Sequence, residues 1–393
     1  MKAATKPVQR PVDARLLAID ADGELRDLPR ARLAELFEPG DVLIANDAAT
    51  LPASLAGVHE PSAAPIEVRL AGRPSLDATD VDRFTAIVFG GGDHRTPTEH
   101  RADPPPMRPG DGLRIGPLTA TVRRTFAQRR HIEVGFNVPP DAVWSGIAAH
   151  GRPIQYAHIV EPLALWDVWT AVAARPVAFE PPSAGFVLDW ALLDALRRRG
   201  VDFKTLTHAA GLSSTGDPAL DALLPFDEAY ELPAATVAAI AAAHAGRHRV
   251  VAVGTTVARA LEHAASRPGP LRAGPALATQ RLGPDSLLRV VDAIVSGTHE
   301  AGTSHYELLR AFADDAVLAR ADRLLEQRGY RTHEFGDSVW IERAADRLQP
   351  RSNLNTATLA SRFGQRRTTA PFWMPNESRM RKPSRRASTS KSA

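Results

Sequence analysis

No cysteine occurs in the 393 residues, which excludes disulfides, thiolate metal sites, iron–sulfur clusters and cysteine nucleophiles. No stretch reaches the roughly 18 apolar residues that a membrane-spanning helix needs. The first ten residues, Met1 to Arg10, hold no apolar core of the secretory kind, so a cytoplasmic protein with no membrane partner is expected. A general excess of positive charge is missing too. The formal net charge is +3, but residues 350 to 393 carry ten Lys or Arg against the single acid Glu377, a local +9. Residues 1 to 349 keep 38 basic and 44 acidic side chains, a net of −6. A body of that sign is not a general nucleic-acid binder, and any grip on a polyanion has to be local or carried by the tail.

What is present centres on Arg249 to His263. Val250, Val251 and Val253 form a nearly continuous β-branched run, as suits a strand covered on both faces, while Val257 and Leu261 recur at helical spacing. Gly254 marks the corner between them. Thr255 and Thr256 then stand where a helix exposes unpaired N–H groups, a place that caps the helix or holds a carboxylate, ribose or phosphate.

The length allows two domains or one large domain with an insertion. Residues 15 to 20 and 41 to 46 read as strands around a helix at 30 to 37, and Asn46-Asp47 closes the second strand, where polar residues meet ligands or make an Asx turn. From 55 to 136 the texture changes to short strands, at 66–70, 84–89, 112–115, 118–123 and 132–136, joined by Gly- and Pro-rich links. Gly90-Gly91-Gly92 lacks the Lys-Ser/Thr of a phosphate loop and reads as a hairpin. After Pro162 the chain alternates again, with helices expected at 166–174, 188–199, 233–245, 306–312 and 315–328. Strands are expected at 201–207, at 288–295 and as a last pair around 330–331 and 339–341, with 208–232 irregular. The fold class is therefore an α/β main domain (1–54 and 160–345) with a small inserted antiparallel β-barrel domain (55–159). A disordered basic tail (346–393) follows by composition.

His299 and His305 are six residues apart across Gly302, which is not the His-Glu-x-x-His helix of a zincin, and no metal is expected. Thr303 or Ser304 reads as an N-cap available to a ligand. His208 ends a strand, where it serves as a structural residue or as an acid or base. Ser183 is outside any Gly-x-Ser-x-Gly elbow, which argues against a hydrolase nucleophile.

In this order the segments resemble the S-adenosylmethionine:tRNA ribosyltransferase-isomerases of queuosine biosynthesis. The resemblance spans roughly residues 13 to 342. It rests on Pro39-Gly40-Asp41 through Asn46-Asp47, Leu51-Pro52-Ala53, Pro182-Ser183-Ala184-Gly185-Phe186 and Val253-Gly254-Thr255-Thr256 with Arg259 and Leu261-Glu262. Further along come Val291-Asp292, His299 with Thr303-Ser304, Ala311-Phe312, Tyr330-Arg331 and Gly336-Asp337.

The resemblance implies a cytoplasmic α/β enzyme with an inserted β-barrel, acting as a monomer. Its substrates would be S-adenosylmethionine, as ribosyl donor rather than permanently bound cofactor, and the anticodon region of tRNA. The ribosyl group goes to a 7-aminomethyl-7-deazaguanine base with isomerisation to epoxyqueuosine, releasing adenine and methionine. It implies that Asn46, Ser183, Ala184, Gly185, Gly254, Thr255, Thr256, Arg259, Thr303 and Ser304 bind substrate. The reaction needs a base beside the sulfonium and a donor to adenine, for which His208, His299 and Asp47 are the candidates.

The sequence departs from the family pattern at Ala48-Ala49, where Thr-Arg is usual, at Phe186-Val187-Leu188 for Leu-His-Phe, and at Phe226-Asp227 for Met-His. Two alternatives therefore stay open at this point: a relative acting on another acceptor, and a non-catalytic nucleotide- or RNA-binding module.

Overall fold

A computed structural model describes residues 1–345; the basic segment at 346–393 lies outside the described residues. Nine strands make one mixed sheet: β1 (Arg15–Ile19), β2 (Leu25–Pro29), β3 (Val42–Asn46), β4 (Asp202–His208), β5 (Glu228–Leu232), β6 (Val250–Val253), β7 (Gly274–Ala278), β8 (Ala293–Gly297) and β9 (Ser338–Glu342). Their order is β7-β5-β4-β3-β6-β8-β9-β1-β2. The central four, β4-β3-β6-β8, run parallel, so their carboxyl ends share one edge.

Strand periodicity explains why these segments are apolar throughout. Val42, Ile44, Val250 and Ala252 enter a core with the Ala234–Ala245 and Thr255–Ser266 helices. Their neighbours Leu43, Ala45, Val251 and Val253 enter a second core with Leu188 and Leu196 on the other face. With both faces covered, alternation has no polar side to show.

The expected insertion is a closed six-stranded antiparallel barrel. Its strands are Leu118–Thr125, His131–Phe136, Phe84–Gly90, Ala64–Gly72, Ser54–His59 and Gly112–Ile115, in spatial order. The fold class is thus an α/β domain carrying a small antiparallel barrel. One apolar cluster runs from the barrel's Val68, Phe84 and Val88 into Phe179, Ala209 and Leu212, so the barrel shares its core with the larger sheet. All described residues fall in a single compact unit.

Several local expectations give way. The apolar run at 288–295 becomes strand only from Ala293, because the N–H groups of Arg289, Val290 and Val291 donate to the buried carboxylate of Glu262 at 2.7–2.9 Å. A distant side chain satisfies that backbone. The helix expected at 166–174 stops after Leu165–Val168, since the chain turns to pair Arg175–Ala178 in parallel with Ala48–Thr50. Segment 208–232 contains β5, and Pro140–His150 is a helix whose Gly146 lets Leu118 pack so close that a Cβ would sit 2.4 Å from its Cδ2.

Candidate active site

A cavity of about 340 Å³ opens where the parallel strands end, lined by residues following β4, β6 and β8 and by the segment from Glu180 to Ala184. Carboxyl edges of parallel strands are where α/β folds place ligands, because the turns there are free of ladder pairing. Gly254 makes the corner after β6 with φ +94° and ψ 157°, a conformation that only glycine adopts without strain, and a Cβ there would stand 3.2 Å from the Ala184 Cβ. The turn delivers the start of the Thr255–Ser266 helix to the cavity.

Two imidazoles stack across the same space. The rings of His299 and His305 lie 4.7 Å apart, 18° from parallel. Ser296 Oγ is 2.9 Å from His299 Nε2, and Thr255 Oγ1 is 2.9 Å from His305 Nδ1. Burial, then the neighbouring His305 and His333, hold the His299 pKa well below the usual imidazole range; burial also lowers that of His305. Both rings are uncharged at neutral pH.

Of the residues singled out in the sequence, His299, Ser183, Ala184, Gly254, Thr255, Thr256, Arg259, Thr303 and Ser304 line the cavity. Thr303 is the N-cap of the helix Ser304–Leu309. Gly185 lies behind the wall, packed so that a Cβ would meet Thr170 Cγ2 at 2.9 Å. His208 is fully buried beneath the cavity; its Nδ1 donates to the Thr256 carbonyl at 2.9 Å and its Nε2 stands 3.2 Å from Glu228 Oε2. Asn46 is also off the lining. Its amide donates to the His208 carbonyl and accepts from the His208 and Ala48 N–H groups, tying the ends of β3 and β4 together. Asp47 accepts from Thr205 and Thr207 hydroxyls at 2.8 and 2.6 Å and is likewise not among the lining residues.

Arg259 lines the cavity with its guanidinium already engaged. It donates to Gln280 O and Ala278 O, each at 2.9 Å, and to Glu228 at 2.5 Å. Burial alone would push the Glu228 carboxyl up, but the charge and hydrogen bond of His208, with Arg259 and the Gly211 N–H, bring it down to about 2.

Three carboxylates at the cavity were not anticipated: Glu228 and Glu180, both buried, and the partly exposed Glu334. Glu180 follows Arg175–Ala178, and a polar residue at a strand's end is the signal that selected Asn46; here the strand itself was not legible. Its oxygens accept from the Tyr156 hydroxyl and from Ser213 N–H at 3.0 Å. Burial, offset by the Tyr156 hydrogen bond and reinforced by the charge of Glu334, raises its carboxyl to about 7.

His158, His333 and Glu334 each bring one metal-ligating atom within 4.8 Å of the others. The two rings, however, stack at 4.3 Å and 20°. An imidazole lone pair lies in its ring plane, and planes so nearly parallel do not meet at one ion about 2 Å from both nitrogens. As arranged, His158 Nε2 stands 2.9 Å from Glu334 and its ring stacks on that of His333.

Residues 1–341 match the family model described as queuosine biosynthesis protein. The chain belongs to that family. Among curated relatives, the S-adenosylmethionine:tRNA ribosyltransferase-isomerase of Thermosynechococcus vestitus is 30% identical over 86% of this chain and 92% of its own length. That of Acidithiobacillus ferrooxidans is 32% identical over 88% and 95%. A solved S-adenosylmethionine tRNA ribosyltransferase from Thermotoga maritima is 22% identical, with a TM-score of 0.45 over 86% of this chain and 95% of that one. Among the described residues of this family member no helix is long and apolar enough to cross a membrane.

Proposed function

We propose that this queuosine-family protein is an S-adenosylmethionine:tRNA ribosyltransferase-isomerase, a transferase and isomerase of tRNA modification. It moves the ribosyl moiety of S-adenosylmethionine to a 7-aminomethyl-7-deazaguanine in the tRNA anticodon and isomerises it to the epoxycyclopentane. S-adenosylmethionine is a substrate, consumed in each turnover, and no permanently bound cofactor is needed.

The cavity at the carboxyl edge carries this reading. It offers an anion the free N–H groups at the start of a 12-residue helix, Thr255–Ser266, and offers a cation the buried carboxylates of Glu180 and Glu228 with the partly exposed Glu334. A ligand with a carboxylate at one end of its methionine and a sulfonium further along has both charges. Thr255 and Thr256 take the methionine carboxylate in this assignment, and Ser183 and Ala184 close over the ribose. His299 and His305, uncharged and each tied by one nitrogen, turn the other to the nucleoside. Arg259, His208 and Asn46 act by holding the floor, and Asp47 by holding the ends of β3 and β4. The enzyme works as a monomer in the cytoplasm, where tRNA is met.

Purified protein is incubated with S-adenosylmethionine and tRNA carrying the aminomethyl-deazaguanine, and products are followed by mass spectrometry. Adenine release with a matching mass gain on the base is expected. Adenine without tRNA modification would point to another acceptor and overturn the assignment.

A further inference from the structure

We infer that Glu180 is the catalytic base of this site: its carboxylate faces the sulfonium of bound S-adenosylmethionine and removes a proton from the methylene beside it. This rests on the reaction proposed above.

The geometry fixes the carboxylate before any ligand arrives. Glu180 is 7% exposed and lines the cavity. One oxygen accepts from the Tyr156 hydroxyl and the other from Ser213 N–H at 3.0 Å, so neither is free to rotate away. Tyr156 is itself held, with the Arg69 guanidinium 5.6 Å from its ring and the Ser214 N–H donating to its hydroxyl at 3.3 Å.

Charge then separates Glu180 from Glu228, which is also buried, and from the partly exposed Glu334. Glu228 has Arg259 at 2.5 Å and His208 at 3.2 Å. Glu334 has His158 at 2.9 Å. Glu180 has only neutral donors among the described residues, and its ionised neighbour Glu334 adds repulsion. Arg69, whose guanidinium lies 5.6 Å from the Tyr156 ring, is engaged by Glu67 at 2.6 Å. A buried carboxylate without a cation is unfavourable unless a ligand supplies one. A sulfonium is such a cation, and it also acidifies the adjoining carbon.

In the free enzyme the carboxyl titrates at about 7, so a substantial share is ionised at neutral pH, as a general base requires. Binding of the sulfonium favours the ionised form further. The C–H bond of the methylene between sulfur and ribose then breaks. The proton goes to a Glu180 oxygen, giving the neutral acid, while the electron pair stays on carbon next to the positive sulfur. Tyr156 is a positioning residue for this step.

The test compares wild type, Glu180→Gln, Glu180→Asp and Tyr156→Phe by adenine release with modified tRNA, and by calorimetric binding of S-adenosylmethionine and its neutral thioether, S-adenosylhomocysteine. Glu180→Gln is expected to lower kcat by about 10²–10⁴-fold. It is also expected to lose the wild-type preference for sulfonium over thioether while binding the thioether as before. Glu180→Asp restores part of the rate. Tyr156→Phe moves the acid limb of the kcat/KM profile to higher pH, because the bond that favours the ionised carboxylate is gone. Turnover by Glu180→Gln within about threefold of wild type overturns the inference. So does an equal loss of both ligands, which marks a structural role. A wild-type protein that binds the sulfonium selectively yet releases no adenine overturns the reaction itself instead, and with it the base role.

Discussion

At the scale of single residues, the cavity's carboxylates differ by what touches them. Glu228 is held ionised by Arg259 and His208, and Glu180 is pushed towards neutrality by burial. The folded pKa of Glu180, about 7, lies above its ordinary value of 4.5, so the native state keeps a proton that the unfolded chain gives up. Stability from this group is full below pH 4.5 and is lost as pH rises towards 7. Urea unfolding of wild type and Glu180→Gln at pH 5 and pH 8 should show wild type losing up to about 3 kcal/mol relative to the variant across that interval. Equal slopes would mean that Glu180 is ionised throughout. None of this was legible from the sequence, where Glu180 is one acid between Phe179 and Pro181 and Glu228 follows Asp227. The partners that set their charge, Tyr156 and Arg259, are 24 and 31 positions away.

Among the elements, the strand–corner–helix at Val250 to Ser266 does most to build the site, and it was legible for a local reason. A β-branched run, one glycine and a helical period need no distant partner to be recognised. Gly254→Ala puts a side chain at φ +94° and 3.2 Å from Ala184. A loss of about 1–3 kcal/mol by urea unfolding is expected, with weaker S-adenosylmethionine binding by calorimetry. Unchanged affinity would separate the corner from the ligand. Elements whose backbone is satisfied from afar were not legible. Residues 288–292 look like strand and are loop, because Glu262 takes their N–H groups. Residues 166–174 looked like one helix and are helical only over Leu165–Val168, because the chain turns to lay Arg175–Ala178 beside Ala48–Thr50. Asn46 and His208 stand at strand ends as their sequence suggested, but the Asn46 side chain bonds the His208 backbone and the His208 ring bonds the Thr256 carbonyl beneath the cavity.

Across the whole molecule, charge is divided between a body of −6 and a tail of +9. A tRNA substrate meets a body that does not attract it broadly, so the tail's ten cations are the natural source of non-specific grip. Deleting residues 350 to 393 should leave the unfolding midpoint and S-adenosylmethionine affinity unchanged while weakening tRNA binding. The slope of log K against log salt should flatten by about 0.7–0.9 for each phosphate that the shortened chain no longer neutralises. An unaltered slope would remove the tail from tRNA recognition.

The amino-acid sequence by itself determined the alternation of strand and helix, the texture change that marks the barrel, the strand–corner–helix turn at Gly254 and the family. These depend on local propensity and on short ordered motifs. The tertiary structure decided which polar groups became chemistry. It joined Glu180 to Tyr156 and Ser213 and locked Arg259 onto Glu228; Asp47 it tied to two threonines, outside the cavity lining. A side chain's charge and reach depend on burial and on partners from distant positions, and only the folded chain brings those together.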